Sequence, residues 1–278
     1  MEGGWKGGMI TSDHAIYTYP DGVSQLVGKW EEVRIRRCAC ENLTLSPAIQ
    51  NEMVAAVFRK KGDERGPQEG EPLYEYDPST EDSISSQPLL PDPYESERVR
   101  VGPSTVEDGG EGLFARRKMV KGEVVAFYNG ILVSHEEVDA RDWALNANTI
   151  SLDDDWVIDV PPDASNLESY RASLAHKANC QITQDLNNSK YDLFTHPRFG
   201  VIKCIRLVRD VEEGEEIFVD YDYTTECPEW YGAPRSAEKK GEGEEEKGGE
   251  KEEKEGQGEK EGEKEGDTQP ATSLGKKW

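Results

Sequence analysis

The sequence predicts a β-rich α+β fold over residues 95–233, on two observations. Five short runs, RVRV (98–101), VVAFY (124–128), WVIDV (156–160), FGVIKCIRLV (199–208) and EIFVDY (216–221), are rich in β-branched, aromatic and aliphatic residues and are separated by Gly, Pro or acidic turns. Such runs suit the strands of small sheets. Only two segments between them carry helix signals. Ser134-x-x-Glu137 makes a capping box ahead of EVDARDWAL, and Asn166 can cap LESYRASLA, where Leu167, Tyr170 and Leu174 share one face. Many short strands with two short helices give the α+β class.

Upstream, IYTYPDGVSQLVGKW (16–30) alternates apolar with polar residues around a Pro-Asp-Gly turn, which predicts a hairpin. One hairpin is marginal in water, so it needs a neighbour. Residues 31–70 show no clear period, 60–70 read as an exposed loop, and the Pro-, Ser- and Asp-rich stretch 77–93 reads as an extended connector. At the other end, 235–278 hold 14 acidic and 10 basic residues among Gly-rich repeats, with Ala237, Ala271, Leu274 and Trp278 as the only apolar side chains. Burial there cannot offset ordering entropy, so a disordered tail is expected.

The chain carries a net charge of −24, of which the tail contributes −4 and residues 1–234 the remaining −20. Acidity of this size disfavours direct nucleic-acid binding and favours basic partners, with simple solubility as the competing reading. The five cysteines (Cys38, Cys40, Cys180, Cys204, Cys227) form an odd, irregular set, and no signal-peptide pattern opens the chain, so a reducing compartment is expected. Cys38-Ala-Cys40 lacks a second pair at metal-site spacing, and no metal is implied. The longest apolar run, Met53 to Phe58, is far too short to span a bilayer.

Five stretches in order, GGEGLFARR (109–117), FYNG (127–130), HKAN (176–179), YDLFTHPRFG (191–200) and DYDY (220–223), resemble the SET-domain protein-lysine methyltransferases. LLPDPYESERV (89–99), RDWALNANTISLD (141–153) and PEWY (228–231) narrow the resemblance to the subgroup with N-terminal MORN repeats, of the histone H3 lysine methyltransferase type. The hairpin at 16–30 resembles a single MORN unit, which makes the MORN region truncated. The resemblance implies residues 1–88 as an N-terminal region with one MORN-like hairpin, 89–233 as a SET domain with a threaded pseudoknot, and 234–278 as the tail. It further implies S-adenosylmethionine as cofactor, the histone H3 tail or other basic proteins as substrates, a monomer, and residence in the nucleus and on the chromosome, with the cytoplasm as a further compartment.

By the same resemblance Tyr221, Tyr128 and Tyr191 are the expected catalytic residues, and with Tyr223 and Lys203 they border the substrate lysine. Gly109, Gly110, Glu111, Asn179, Cys180 and Trp230 are the expected cofactor-binding residues, with Glu111 facing the donor's amino group. The chemistry suits these residue types. Methyl transfer from a sulfonium to an amine is an in-line displacement that chiefly needs alignment, and a dry aromatic channel delivers lysine neutral. Hydroxyls at 128 and 191 favour a single methylation.

One departure stands out in HKANCQITQDLNN (176–188). Where the family has Asn-His-Ser followed by Pro-Asn, this chain keeps Asn179, has Cys180 in place of His, lacks the Pro, and carries about three extra residues, with Asn188 restoring the register. Backbone groups at 180 can still address an adenine. A catalytically degenerate SET domain binding chromatin or basic peptides is therefore the alternative expectation. A third is an acidic chaperone acting through its tail.

Overall fold

The computed structural model describes residues 5–6, 9–10, 12–34, 49–63, 65, 68–181 and 186–221. The expected tail, Cys38, Cys40 and Cys227 lie outside them. Strands β1 (Trp5–Lys6) and β2 (Met9–Ile10) pair with each other, and β3 (Ser12–Thr18), β4 (Ser24–Arg34) and β5 (Ile49–Lys60) form an antiparallel sheet in that order. The predicted hairpin is its first half. Asp21 fixes the turn by accepting from the Val23 and Ser24 amides at 2.9 and 2.8 Å, and Gly22 takes φ 68°. No period was legible over β5 because the β4–β5 ladder slips at Lys29/Trp30, so buried Met53 and then buried Ala56 and Val57 do not alternate.

The chain then passes through α1 (Pro93–Ser96), β6 (Val99–Pro103), β7 (Glu111–Ala115), β8 (Val124–Tyr128), β9 (Ile131–Ser134) and α2 (His135–Ala140). It finishes with β10 (Thr149–Ser151), β11 (Trp156–Asp159), β12 (Ser189–His196), β13 (Gly200–Leu207) and β14 (Glu216–Ile217). Three antiparallel three-stranded sheets result, in the orders β14-β7-β6, β12-β13-β8 and β10-β11-β9. The predicted β-rich α+β class is what the structure shows.

The helices are shorter than predicted. Ser134 does cap α2, its Oγ accepting from the Glu137 amide at 3.1 Å, but the helix stops at Ala140 and only a 3-10 turn follows at Trp143–Asn146. The predicted helix after Asn166 does not form. Asn166 Oδ1 accepts from the Glu168 and Ser169 amides and caps one turn, after which the Arg171 amide donates to Pro88 O at 2.9 Å and Ala172 O accepts from the Asp92 amide at 3.2 Å. Bonds to the 88–92 stretch thus take the groups that a helix would use. The connector is packed against the domain: buried Arg198 donates to Leu90 O at 2.6 Å and Gln87 O at 2.8 Å.

One apolar core runs from Tyr19, Trp30 and Met53 through Tyr94 to Phe127, Ile202 and Val219. Tyr19 stacks on Tyr94 with ring centroids 4.6 Å apart, and its hydroxyl donates to Asp92 at 2.9 Å. Arg98, 1% exposed, lies 3.3 Å from the Tyr94 ring centroid and bonds Asp21 at 2.7 Å and Glu123 at 3.1 Å. Burial alone would raise the Asp21 carboxyl, but hydrogen bonds from Ser24, Val23 and Arg98 hold it well below the usual range.

The last strand segment is held unusually. The peptide linking Phe218 and Val219 donates its N–H to Asn179 O at 2.8 Å, while its C=O accepts from the Asn188 and Ser189 amides at 3.1 and 3.0 Å. In a trans peptide these groups point in opposite directions. Two arms of one loop therefore grip residues 218–219 from both edges, which is the crossing that the resemblance implied as a threaded pseudoknot.

Replacing Arg98 with alanine leaves the largely buried Asp21 carboxylate without its cation and Glu123 with Arg117 alone, and is expected to lower stability by about 3–5 kcal/mol in urea unfolding. Arg98→Lys should recover only part of that loss, because a single ammonium cannot reproduce the guanidinium fork.

Candidate active site

The sheet β12-β13-β8 sorts its residues by register. Tyr191 pairs with Ile205, which pairs with Ala126, and in the next row Lys203 pairs with both Leu193 and Tyr128. Paired residues share a face, so Tyr191 and Tyr128 come together there, ring centroids 5.9 Å apart at 73°. The opposite face, with Phe127, Phe194 and Ile202, belongs to the core.

Beyond Tyr128 the chain leaves the sheet through Asn129 and Gly130. Asn129 Nδ2 donates to Ile84 O at 2.8 Å and to the Tyr170 hydroxyl at 3.2 Å. Gly130 has no alternative, since a Cβ there would sit 2.4 Å from Asp159 O. Glu95 secures the same strand from the other side. Its Oε1 accepts from the Phe127 amide at 2.8 Å and the Leu174 amide at 2.9 Å, joining β8 to the segment that leads into HKAN.

That segment brings in the remaining side chains. Buried His176 meets the Tyr128 ring edge-on at 6.2 Å. Tyr221, at the end of the gripped segment, donates its hydroxyl to Ala178 O at 3.0 Å. Cys180 is buried and packs against Tyr221 and Tyr191, its Sγ accepting from Asn187 Nδ2 at 3.7 Å. Tyr128, Tyr191, Tyr221, Asn179, Cys180 and Lys203 thus fall in one neighbourhood. Tyr223 and Trp230 lie outside the described residues.

The glycine loop closes against the same segment. Asn179 Nδ2 donates to Gly109 O at 3.2 Å and Glu111 O at 3.0 Å. Gly110 takes φ 60°. Gly112 is required by close approach, because a Cβ would lie 2.1 Å from Glu216 Oε1, and that buried carboxylate accepts from Ser104 Oγ, Thr105 Oγ1 and the Thr105 amide.

The resemblance implies Glu111 facing the donor's amino group. In the structure its Oε2 is 2.6 Å from Lys177 Nζ, which also donates to Ser165 O. Lys177 was missed, although its place inside HKAN was the available signal. Asn188 was noted only for spacing; it is fully buried, its Nδ2 donating to Glu216 O at 2.7 Å and its Oδ1 accepting from the Phe218 amide at 2.9 Å.

Burial dominates the electrostatics. It pushes the Tyr128 and Tyr191 phenols well above their ordinary values, so both stay neutral. The Tyr128 hydroxyl is buried without a hydrogen-bond partner among the described residues. An unbonded buried hydroxyl costs about 1–3 kcal/mol, which makes it a place for a bound group to compensate. Among the described residues no three His, Cys, Asp or Glu side chains are grouped to hold a metal ion.

The sequence profile of the SET domain matches residues 110–222. The Histone-lysine N-methyltransferase SETD7 of Halocynthia roretzi is 40% identical over 233 residues, 81% of this chain and 58% of that protein. The Histone-lysine N-methyltransferase EZA1 of Arabidopsis thaliana is 25% identical over 150 residues, 52% of this chain and 16% of that protein. The chain therefore spans a little over half the length of the first and about a sixth of the second. A solved structure described as ctPRC2 in an autoinhibited conformation bound to S-adenosylmethionine is 22% identical, covering 45% of this chain and 15% of that one with a TM-score of 0.35.

Glu95 supplies a pH test of the frame. Burial raises its carboxyl well above the usual carboxylate range, against the two amide bonds that favour the anion. A carboxyl raised on folding stabilises fully below its unfolded pKa of about 4.3, and that contribution fades as pH rises. Glu95→Gln keeps an acceptor for both amides and has no proton to lose. Chemical unfolding between pH 5 and 8 should show the variant gaining on the parent by up to about 1.4 kcal/mol per pH unit, and parallel pH profiles would contradict the assignment.

Proposed function

From the premise that residues 110–222 are a SET domain, we propose that this chain is a protein-lysine N-methyltransferase that transfers one methyl group from S-adenosylmethionine to lysine of histone H3 and other basic proteins. The observation that carries the reading is the convergence of Tyr128, Tyr191 and Tyr221 beside the segment 176–180. The 40% identity to a histone-lysine methyltransferase supports it.

The residues present fit the donor. Its amino-acid end is a zwitterion, and Glu111 with Lys177 sets one charge of each sign at the glycine loop, able to take the ammonium and the carboxylate respectively. The backbone of Asn179 and Cys180 would address the base, with Gly109 and Gly110 beside it. When bound, the donor supplies the activated methyl group.

Everything else is alignment and drying. Neutral phenols at 128 and 191 have no charge to hold an ammonium, so a lysine entering there loses hydration without gaining a counter-ion and gives up its proton more readily. The Tyr128 hydroxyl can accept from or donate to the amine that remains. Tyr221, pinned to Ala178 O, presents its ring edge and oxygen at a fixed place. Two hydroxyls in the channel leave little room for a dimethylated product. Tyr223 and Trp230 are proposed to complete the channel and cover the donor.

The same reading places residues 1–88 as a MORN-derived region, 89–233 as the SET domain and 234–278 as a tail, in a monomeric nuclear and chromosomal protein that does not bind nucleic acid directly. Its acidity would draw basic tails by long-range attraction weakened by salt. Cys180, buried where the family has His, keeps the non-catalytic binding module as a second reading.

Tyr221→Phe should lower kcat on a histone H3 peptide by about a hundredfold while cofactor affinity changes little, since misplacement of the reacting groups costs that much. Methylation at the parent's rate would remove Tyr221 from the proposed role, and no methylation by the folded parent would favour the binding module.

A further inference from the structure

Residues 77–86, DPSTEDSISS, form a strap bonded to the end of the strand that carries Tyr128, and local chemistry explains its shape. Pro78 keeps Asp77 out of the helical region. The Thr80 hydroxyl accepts from the Asp82 and Ser83 amides at 3.3 and 2.9 Å, and the Thr80 amide donates to Ser83 O at 3.1 Å, so the chain turns at 80–83 with Glu81, Asp82 and Ser83 exposed. Both sides of the turn are tied down. Ahead of it the Asp77 amide donates to Arg198 O at 2.7 Å and Ser79 Oγ donates to Asn129 Oδ1, while behind it Ile84 O accepts from Asn129 Nδ2 at 2.8 Å. Asn129 is fully buried and follows Tyr128 directly.

Charge singles out one hydroxyl of this strap. Asp77 stands two positions before Ser79, and Glu81 and Asp82 stand two and three after it. Thr80 and Ser83 have serine, not an acid, three positions on, and Ser85 is buried with its hydroxyl bonded to Asp77. A serine flanked by acids, outside any helix or strand, is what a protein kinase with a basic peptide groove selects by charge. Ser79 is half-buried, and opening a surface turn held by a few bonds costs little, which brings its hydroxyl within reach.

We propose that Ser79 is a phosphorylation site for an acidophilic protein kinase, and that the phosphate releases the strap from Asn129. The Ser79 oxygen bonds to the γ-phosphorus of a nucleoside triphosphate, the bond from that phosphorus to the β,γ-bridging oxygen breaks, the nucleoside diphosphate leaves with that oxygen, and the hydroxyl proton passes to a base of the kinase. The product carries about −1.5 to −2 charges and offers acceptor oxygens where Ser79 had its proton. Facing Asn129 Oδ1, another acceptor, it has no hydrogen bond to make there, and Asp77, Glu81 and Asp82 add repulsion. The strap swings towards solvent and takes Ile84 O off Asn129 Nδ2. Tyr128 then loses the anchor at the end of its strand. The consequence for methyl transfer rests on the methyltransferase reading; the modification and the release do not.

The test incubates the full chain with casein kinase II, an acidophilic serine kinase, and magnesium ATP, and maps the product by tandem mass spectrometry. Phosphate on Ser79, reduced at least about tenfold by Asp82→Ala at an exposed position, is the expected result. A folded chain left unmodified at Ser79, or modified there equally in Asp82→Ala, overturns the site. Amide hydrogen exchange then reads the release: peptides covering 79–86 and 129–133 should exchange about tenfold faster in the phosphorylated chain, the weight of one buried hydrogen bond. Exchange unchanged by phosphate on Ser79 overturns the release. Methyl transfer to a histone H3 peptide separates the two readings, since the phosphorylated chain should turn over at least about tenfold more slowly than the parent. A parent without turnover whose exchange still responds to phosphate sinks the enzyme reading and keeps the switch, whereas turnover indifferent to phosphate overturns the link to Tyr128.

Discussion

The peptide between Phe218 and Val219, bonded on both edges by two arms of one loop, is the constraint on which the site depends. Its grip fixes Asn179 on one side and Asn188 on the other, and each asparagine passes the constraint on. Asn179 ties the glycine loop at Gly109 and Glu111, whereas Asn188 holds Glu216, whose carboxylate in turn anchors Ser104 and Thr105. Tyr221 follows directly and is pinned to Ala178. Residues separated by more than a hundred positions are therefore set by a few hydrogen bonds from main-chain groups, two asparagines and one carboxylate, and leaving the buried ones unmade is costly.

Burial gives the neighbourhood its chemistry. Carboxylates around the three tyrosines of this acidic chain would hold a nearby amine charged. Instead the groups that meet there are phenols kept neutral by desolvation, and the acidic residues nearby are engaged elsewhere: Glu111 by Lys177, Glu216 by the 104–105 turn, Asp159 by Arg141 at 2.8 Å. The net charge acts at long range and the neutral phenols at short range, with opposite effects on an amine.

Strands rich in Val, Ile, Phe and Tyr were legible because their composition matches a half-buried pleated surface wherever they pair. The capping box at Ser134 was legible because its bonds are local. What failed was decided by distant partners. The helical pattern of 167–175 gave way to main-chain bonds with 88–92, and β5 escaped notice because a bulge broke its alternation. In the site, Tyr128, Tyr191 and Asn179 could be named from motif order, but the Lys177 partner of Glu111 is 66 residues away and carries no spacing signal. Cys180 looked like damage to the motif, yet the structure packs it in one cluster with Tyr221 and Tyr191.

The central claim is that the gripped crossing, with Cys180 in place, still builds a cofactor pocket. Calorimetric titration of the folded full chain with S-adenosylmethionine tests it most directly. The account predicts one-site binding at micromolar concentration, and a folded protein that shows no binding heat and no displacement of a labelled analogue would contradict it.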